Sequence, residues 1–215
     1  MDSMFTVFIV DDDVGVVKAL SRLLRAKGYK TQSFTSPQDF LQHHDAVVPG
    51  CAVLDVSMPG LDGLELQQAL TAGGAPRPVI FLTGKGDIPT SVRAMKAGAI
   101  DFLTKPVGEI VLLDAIARAV EVDGRTRQAH AELAALQTKL STLTPREREV
   151  LSHVVAGKLN KQIAGDLGTV EKTIKVHRGR VMQKLGVRAV ADLVRLAEKA
   201  GISIADKSET RSNRS

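Results

Sequence analysis

Acid, hydroxyl and ammonium groups fall at the ends of successive apolar runs in the first half of this chain. Val10 leads into Asp11-Asp12-Asp13, a second run ends at Asp55, a third at Thr83, and Lys105 follows a fourth that carries Phe102. If those runs are neighbouring strands, residues scattered over 95 positions meet at one edge. Carboxylates gathered without a cation repel one another. A hard divalent ion relieves that repulsion, and Mg²⁺ (or Mn²⁺) accepts one or two carboxylates together with water and phosphate oxygen. A threonine hydroxyl and a lysine ammonium at the same edge are donors suited to a phosphoryl group. A carboxylate in such surroundings is a nucleophile for covalent phosphoryl transfer.

The elements that must position these groups are legible as pattern. Strands are predicted at Thr6–Val10, Thr31–Phe34, Cys51–Val56, Pro78–Thr83 and Ala99–Leu103, each rich in Val, Ile or Phe. Apolar spacings of three and four predict helices at Val14–Ala26, Pro37–His43, Gly63–Leu70, Pro89–Lys96 and Glu109–Val120. Strict alternation of five pairs implies an α/β fold, a five-stranded doubly wound parallel sheet with its functional crevice at the carboxyl ends of the strands. Asp13 reads as the cap of the first helix rather than a member of the crevice.

Composition narrows the class. The 215 residues are 44% hydrophobic and 25% charged, as in a globular chain of one or two domains. No run of about 18 apolar residues offers a membrane span. The N-terminus lacks the basic-then-apolar plan of a signal peptide, so a cytoplasmic protein is expected. One cysteine, Cys51, permits neither an internal disulfide nor a cysteine-rich zinc site. The net charge of +5 divides into −4 for residues 1–123, +2 for 124–140 and +7 for 141–215, which points a polyanion at the last part alone.

Beyond Val122 the pattern changes. Asp123-Gly124-Arg125 is expected to interrupt the helix, and Leu133, Leu136, Leu140 and Leu143 then form a short apolar seam. That seam serves either packing on its own domain or dimerisation. Four short helices follow: Thr144-Pro145 with Glu147 opens the first and Gly157 stops it, Asn160 caps the second, Thr169 caps the third, and the fourth runs from about Ala189 to Ala200. The second and third make a helix-turn-helix with Gly168 at the corner. The third carries Lys172, Lys175, Arg178, Arg180 and Lys184 opposite an apolar stripe of Val170, Ile174, Val181 and Leu185, a two-sided helix suited to the major groove of double-stranded DNA. The polar stretch 203–215 reads as a disordered tail.

Asp11-Asp12, Asp55 followed by Met58-Pro59-Gly60, Thr83-Gly84 and Thr104-Lys105-Pro106 resemble, in order, the receiver domain of two-component response regulators, with a flavodoxin-like fold over about residues 4–122. The resemblance implies that Asp55 accepts a phosphoryl group from a sensor histidine kinase. It also implies Mg²⁺ held by Asp12, Asp55 and the backbone carbonyl of Ser57, with Asp11 acting through water. Thr83 and Lys105 would hold the phosphoryl oxygens, and a cis Lys105-Pro106 bond is within the family pattern. Phe102 takes the place of a switch aromatic, although a buried strand phenylalanine accounts for it equally. Ser57 and Lys85 flank the site where the lifetime of the phosphoryl group would be tuned.

Leu143-Thr144-Pro145-Arg146-Glu147-Arg148-Glu149-Val150-Leu151, Asn160-Lys161-Gln162-Ile163-Ala164, Thr173-Ile174-Lys175-Val176-His177 and Lys184-Leu185-Gly186 resemble the LuxR-type DNA-binding domain over residues 143–202, joined to the receiver by a helical linker at 123–142. The resemblance places Lys175 and Val176 at base edges and Lys161, Thr173, Arg178 and Arg180 mainly on the DNA backbone, within a helix-turn-helix from Asn160 to Gly179. Gly179 stands where some relatives have lysine, and Gly168-Thr169 replaces a more usual hydrophobe–serine pair.

Together the halves resemble the FixJ/NarL class. The class implies a DNA-binding transcriptional regulator rather than a turnover enzyme, a homodimer formed on phosphorylation, and RNA polymerase as a further partner, with no membrane association. Two rivals use the same residues differently. A constitutive receiver dimer would bind DNA without phosphorylation. An aspartyl-nucleophile phosphohydrolase of the haloacid dehalogenase type would need its nucleophile first, in an Asp-x-Asp motif, whereas here the acidic pair leads and position 57 is serine.

Overall fold

A computed structural model describes residues 5–74, 76–84 and 86–202. The polar tail at 203–215 and Lys85 lie outside the described residues. The chain divides into two units, 1–127 and 128–215.

The first unit is built on strands β1 (Thr6–Val10), β2 (Lys30–Phe34), β3 (Gly50–Asp55), β4 (Val79–Thr83) and β5 (Asp101–Thr104). They form one parallel sheet in the order β2-β1-β3-β4-β5. Every residue of β1, β3 and β4 is buried, as a sheet covered on both faces requires. Alternating side chains feed two cores. On one face Val7, Ile9, Val53, Ile80 and Leu82 meet Val17, Leu20 and Leu24 of α1 (Val14–Ala26) and Leu112, Ile116 and Ala119 of α5 (Glu109–Ser141). On the other, Phe8, Val10, Leu54 and Phe81 meet Phe40 of α2 (Pro37–His43), Leu64, Leu66 and Leu70 of α3 (Gly63–Ala72) and Ala94 of α4 (Ile88–Lys96). Cys51 lies in the first of these cores, where burial pushes its thiol up to about 12.

This strand order reverses direction between β1 and β3, so a crevice opens at their carboxyl ends. Asp13 caps α1 there, accepting from the N–H groups of Gly15 at 2.7 Å and Val16 at 3.3 Å. α3 starts with a reciprocal cap between Asp62 and Glu65. Gly63 sits at that start because a Cβ there would lie 2.4 Å from the Asp55 carbonyl oxygen. Only glycine lets α3 begin so close to the strand that carries Asp55.

The expected interruption at Asp123-Gly124-Arg125 does not occur: α5 is a single helix of 33 residues. A glycine in a helix interior costs about 1 kcal/mol relative to alanine, and local bonding offsets it. Asp123 is buried and pairs with Arg127 at 2.8 Å, one turn on. The same guanidinium donates to the carbonyls of Val47 at 2.7 Å and Val48 at 2.8 Å, fixing the helix across Gly124.

The second unit contains the end of α5 with α6 (Pro145–Val155), α7 (Asn160–Asp166), α8 (Glu171–Leu185) and α9 (Val190–Lys199). Leu143, Val150, Leu151, Val154, Ile163, Ile174, Val181, Leu185, Leu193 and Ala197 make its core. The leucine seam rests on this unit: Leu136 is buried, Leu140 packs against the core, and Lys199 of α9 pairs with Glu132.

Thr144 opens α6 through the expected exchange with Glu147, whose carboxylate accepts from the Thr144 N–H at 2.9 Å. Lys184 turns inward rather than toward a ligand, and its Nζ lies 2.6 Å from the same Glu147 oxygen. The Lys184 hydrogen bond, followed by that of the Thr144 N–H, holds the Glu147 carboxyl below its ordinary range. A depressed carboxyl adds stability at pH values above its unfolded pKa and loses it as pH falls through the folded one. Glu147→Gln is therefore expected to lower the unfolding free energy of this unit by about 1.5–3 kcal/mol at neutral pH. Thermal unfolding as a function of pH should show that gap closing in acid.

Candidate functional site

At the crevice, Asp11 is 1% exposed and Asp55 5% exposed, two carboxylates removed from water at the ends of adjacent strands. Lys105 reaches between them: its Nζ lies 2.5 Å from Asp11 Oδ2 and 2.6 Å from Asp55 Oδ1. The other Asp11 oxygen accepts from the Asp13 N–H at 3.0 Å, and Asp55 Oδ2 accepts from the Ser57 N–H at 2.8 Å. Burial raises the Asp11 pKa, although the Lys105 hydrogen bond pulls the other way. For Lys105, burial alone would lower the pKa, but its bonds to Asp11 and Asp55 outweigh it and the net shift is upward. The result is a charge-compensated site with a single ammonium serving two acids.

β5 delivers this lysine. Phe102 and Leu103 pair with Phe81 and Leu82 of β4, and the Lys105 N–H donates to the Thr83 carbonyl at 2.7 Å. The Lys105-Pro106 bond is cis. Thr83 is buried at the end of β4. A Cβ built on Gly86 would meet Thr83 Cγ2 at 3.4 Å, Thr104 Cγ2 at 3.5 Å and Phe102 Cε1 at 3.6 Å, so these three side chains converge on one glycine. Phe102 is half-buried against the sheet core, with its ring 6.1 Å from that of Phe81.

Asp12 and Ser57 are exposed beside Asp11 and Asp55. Among the described residues no group of three or more His, Cys, Asp or Glu is arranged to hold a metal ion. Lys105 stands between the two buried carboxylates instead. The donor set fits a hard cation nonetheless: it is all oxygen, it is anionic, and two of its carboxylates are buried deeply enough to require a positive partner.

In the second unit, α7 and α8 meet through a turn in which Gly168 adopts φ +61°. Helix starts differ from expectation by one residue. Leu159, whose N–H bonds the Gln162 side chain at 2.8 Å, precedes α7, and Val170 rather than Thr169 precedes α8. Asn160 thus lies within α7, and its Oδ1 accepts from Arg178 Nη1 at 2.9 Å. Arg178, expected on DNA phosphate, is half-buried and clips α8 to α7. Val170 is exposed and leaves the apolar stripe to Ile174, Val181 and Leu185.

Lys172, Lys175, Val176, Gly179 and Arg180 occupy helical positions i, i+3, i+4, i+7 and i+8, one face of α8, and all five are exposed. Val176 is 47% exposed, an apolar group displayed among cations. Lys161 is exposed on α7, and Thr173 is half-buried beside the face. Lys175 carries only a loose pair with Glu171, at 3.5 Å. Sequence reasoning missed the Arg178–Asn160 and Lys184–Glu147 bonds; the helical offset of each cation from the apolar stripe was the available signal.

Comparison with known proteins covers both units. Residues 7–117 match the family model "Response regulator receiver domain", and residues 141–197 match "Bacterial regulatory proteins, luxR family". Nodulation protein W of Bradyrhizobium diazoefficiens is 44% identical over 95% of this chain and 90% of its own length. Response regulator protein TmoT of Ectopseudomonas mendocina is 42% identical over 92% and 90%. Among solved structures, response regulator StyR is 49% identical and superposes with a TM-score of 0.79 over 91% of this chain and 99% of its own. Full-length FixJ from B. japonicum is 37% identical, with a TM-score of 0.55 over 92% and 98%.

Proposed function

The chain belongs to the two-component response regulators that join a receiver domain to a LuxR-type DNA-binding domain, and from that membership we propose a cytoplasmic transcription factor switched by Mg²⁺-dependent phosphorylation of Asp55. The observation that carries the reading is the pair of buried carboxylates, Asp11 and Asp55, bridged by Lys105 at the carboxyl ends of β1 and β3. A sensor histidine kinase supplies the phosphoryl group. No helix among the described residues is long and apolar enough to cross a membrane.

An Asp55 carboxylate oxygen attacks the phosphorus of a phosphohistidine. A P–O bond forms, the P–N bond breaks with its electron pair going to the ring nitrogen, and the imidazole, already protonated on its other nitrogen, leaves neutral. Little covalent chemistry is asked of the protein beyond positioning and charge compensation. Lys105 follows the phosphoryl oxygens, and the Thr83 hydroxyl donates to them. Asp12, Asp55 and the Ser57 carbonyl would hold Mg²⁺ (or Mn²⁺), with Asp11 acting through water, and the ion would neutralise charge on the transferred group. Phe102 moves as Thr83 is drawn toward the phosphoryl group. The face of α4, β5 and α5, where Ile88, Val92, Met95, Ile110 and Val111 are exposed, then pairs with a second copy. Two linked modules gain avidity for a palindromic promoter site, where RNA polymerase is recruited.

Intact mass and solution size with Mg²⁺ and acetyl phosphate test this reading. A phosphate-sized mass gain together with a dimer is expected; no gain would transfer the assignment to a constitutive, phosphate-independent dimer. On DNA, Lys175→Ala is expected to weaken specific binding by about 1–3 kcal/mol and leave random-sequence binding nearly unchanged. Equal losses on both would make Lys175 a phosphate contact.

A further inference from the structure

Beyond the first turn of a helix, glycine stands at three places among the described residues: Gly124 in α5, Gly165 in α7 and Gly179 in α8. Glycine in a helix interior is less stable than alanine. Gly124 is spanned by the Arg127 bonds to the Val47 and Val48 carbonyls. Gly165 belongs to the last turn of α7, where its carbonyl accepts from the Gly168 N–H at 3.4 Å and shapes the corner. Gly179, in the middle of the 15 residues of α8, has no such local reason. Nor does packing call for it: a Cβ built there meets no atom within 4 Å among the described residues, the helix's own backbone aside. Alanine would fit and steady the helix. The remaining use of glycine at such a position is to let an outside body come close to the backbone.

Gly179 is exposed at the centre of the cationic face of α8. Lys175 and Val176 stand one turn before it, Arg180 beside it, and the exposed Gln183 one turn after. From Lys172 to Gln183 this row is about 16 Å long at the helical rise per residue. Within it Gly179 is a notch. Its floor is backbone, and one wall is the Val176 side chain, 47% exposed. The notch is thus apolar and lies among cations. Base edges in the major groove present donors, acceptors and one apolar group, the C5-methyl of thymine.

We propose that the notch formed by Val176 and Gly179 admits the methyl group of a thymine, so that Gly179 sets sequence specificity by what it leaves out. The proposal rests on the DNA-binding reading of α8 and deepens it. A longer side chain at 179 would fill the notch and hold α8 away from the base edges. The glycine therefore weakens the free helix and improves the fit of the bound one.

The test uses the full chain with Mg²⁺ and acetyl phosphate, and duplexes that the wild type selects from a randomised pool. Gly179→Gln fills the notch, and Gly179→Ala reports what glycine costs the helix. Both should raise the midpoint of thermal unfolding of the second unit, by about 4–8 °C. A lower midpoint in both would mean that the fold requires glycine, and would overturn the proposal. Gly179→Gln should bind the selected duplex about tenfold more weakly. Random-sequence duplex should lose far less, because phosphate contacts carry that binding. Each thymine of the selected duplex is then replaced in turn by deoxyuridine, which lacks only the methyl group. At one thymine the wild type should lose about fourfold in affinity, and Gly179→Gln should lose almost nothing. Equal affinity of wild type and Gly179→Gln for the selected duplex would overturn the proposal. So would equal losses on selected and random duplex, or a deoxyuridine effect that is absent in the wild type or unchanged in Gly179→Gln. Failure of the folded wild type to bind any duplex would instead remove the DNA-binding reading itself.

Discussion

Asp55→Ala is expected to abolish phosphoryl uptake from either a histidine kinase or acetyl phosphate, and with it the phosphorylation-induced rise in DNA affinity. The effect should be complete, because no second acid can take the role. Asp11 is the other buried carboxylate of the crevice, and at 1% exposure it is less open to a phosphoryl donor than Asp55 at 5%. Asp12 is exposed and Asp13 is committed to the cap of α1. Alanine at 55 also relieves crowding of buried negative charge, so the variant should fold at least as well as wild type. Intact mass and DNA binding, each measured with and without acetyl phosphate, check the point. A phosphate-sized gain in the variant would place the acceptor elsewhere.

Lys105→Met is expected to have the second largest effect, and to make stability depend on Mg²⁺. The ammonium is 22% exposed and serves two carboxylates that are more deeply buried still. Removing one partner of such a cluster leaves uncompensated charge, at a cost of up to about 3–5 kcal/mol. A divalent cation held by Asp12 and Asp55 would restore part of the balance. Thermal unfolding with chelator and with Mg²⁺ should therefore differ more for the variant than for wild type. If the variant unfolds like wild type in chelator, the carboxylates are not held by Lys105 in solution. Phosphoryl uptake should also slow, since the phosphoryl oxygens lose a donor. The two variants separate the acceptor from the residue that compensates its charge.

Much of the receiver was legible from pattern because its physics is local. β1 and β4 are largely apolar runs, α1 carries its apolar residues at helical spacing, and Asp13 marks a helix start through a side chain that bonds the next turn, as Thr144 does in the second unit. The strand-end positions of Asp11, Asp55, Thr83 and Lys105 followed from the same alternation, since a parallel sheet brings carboxyl ends together. Strand limits were less legible. β5 begins at Asp101 rather than Ala99 because its first residue is set by pairing with Ile80, a long-range bond.

What the sequence determined by itself was therefore the set of elements, their order, and which residues stand at the crevice or on α8. Only the tertiary structure decided how those residues are used. Gly124 looked like a break, and the helix crosses it because Arg127 reaches the carbonyls of Val47 and Val48, about eighty residues earlier in the chain. Arg178 looked like a contact for DNA backbone and Lys184 like one more cation of the same helix, and in the fold they bond Asn160 and Glu147. Lys105 read as a donor to phosphoryl oxygen, and the fold also places its ammonium directly between the carboxylates of Asp11 and Asp55. In each case the deciding partner lies far along the chain, where periodicity and capping carry no information. Charge compensation and hydrogen-bond satisfaction at such positions are properties of the folded neighbourhood, not of the segment.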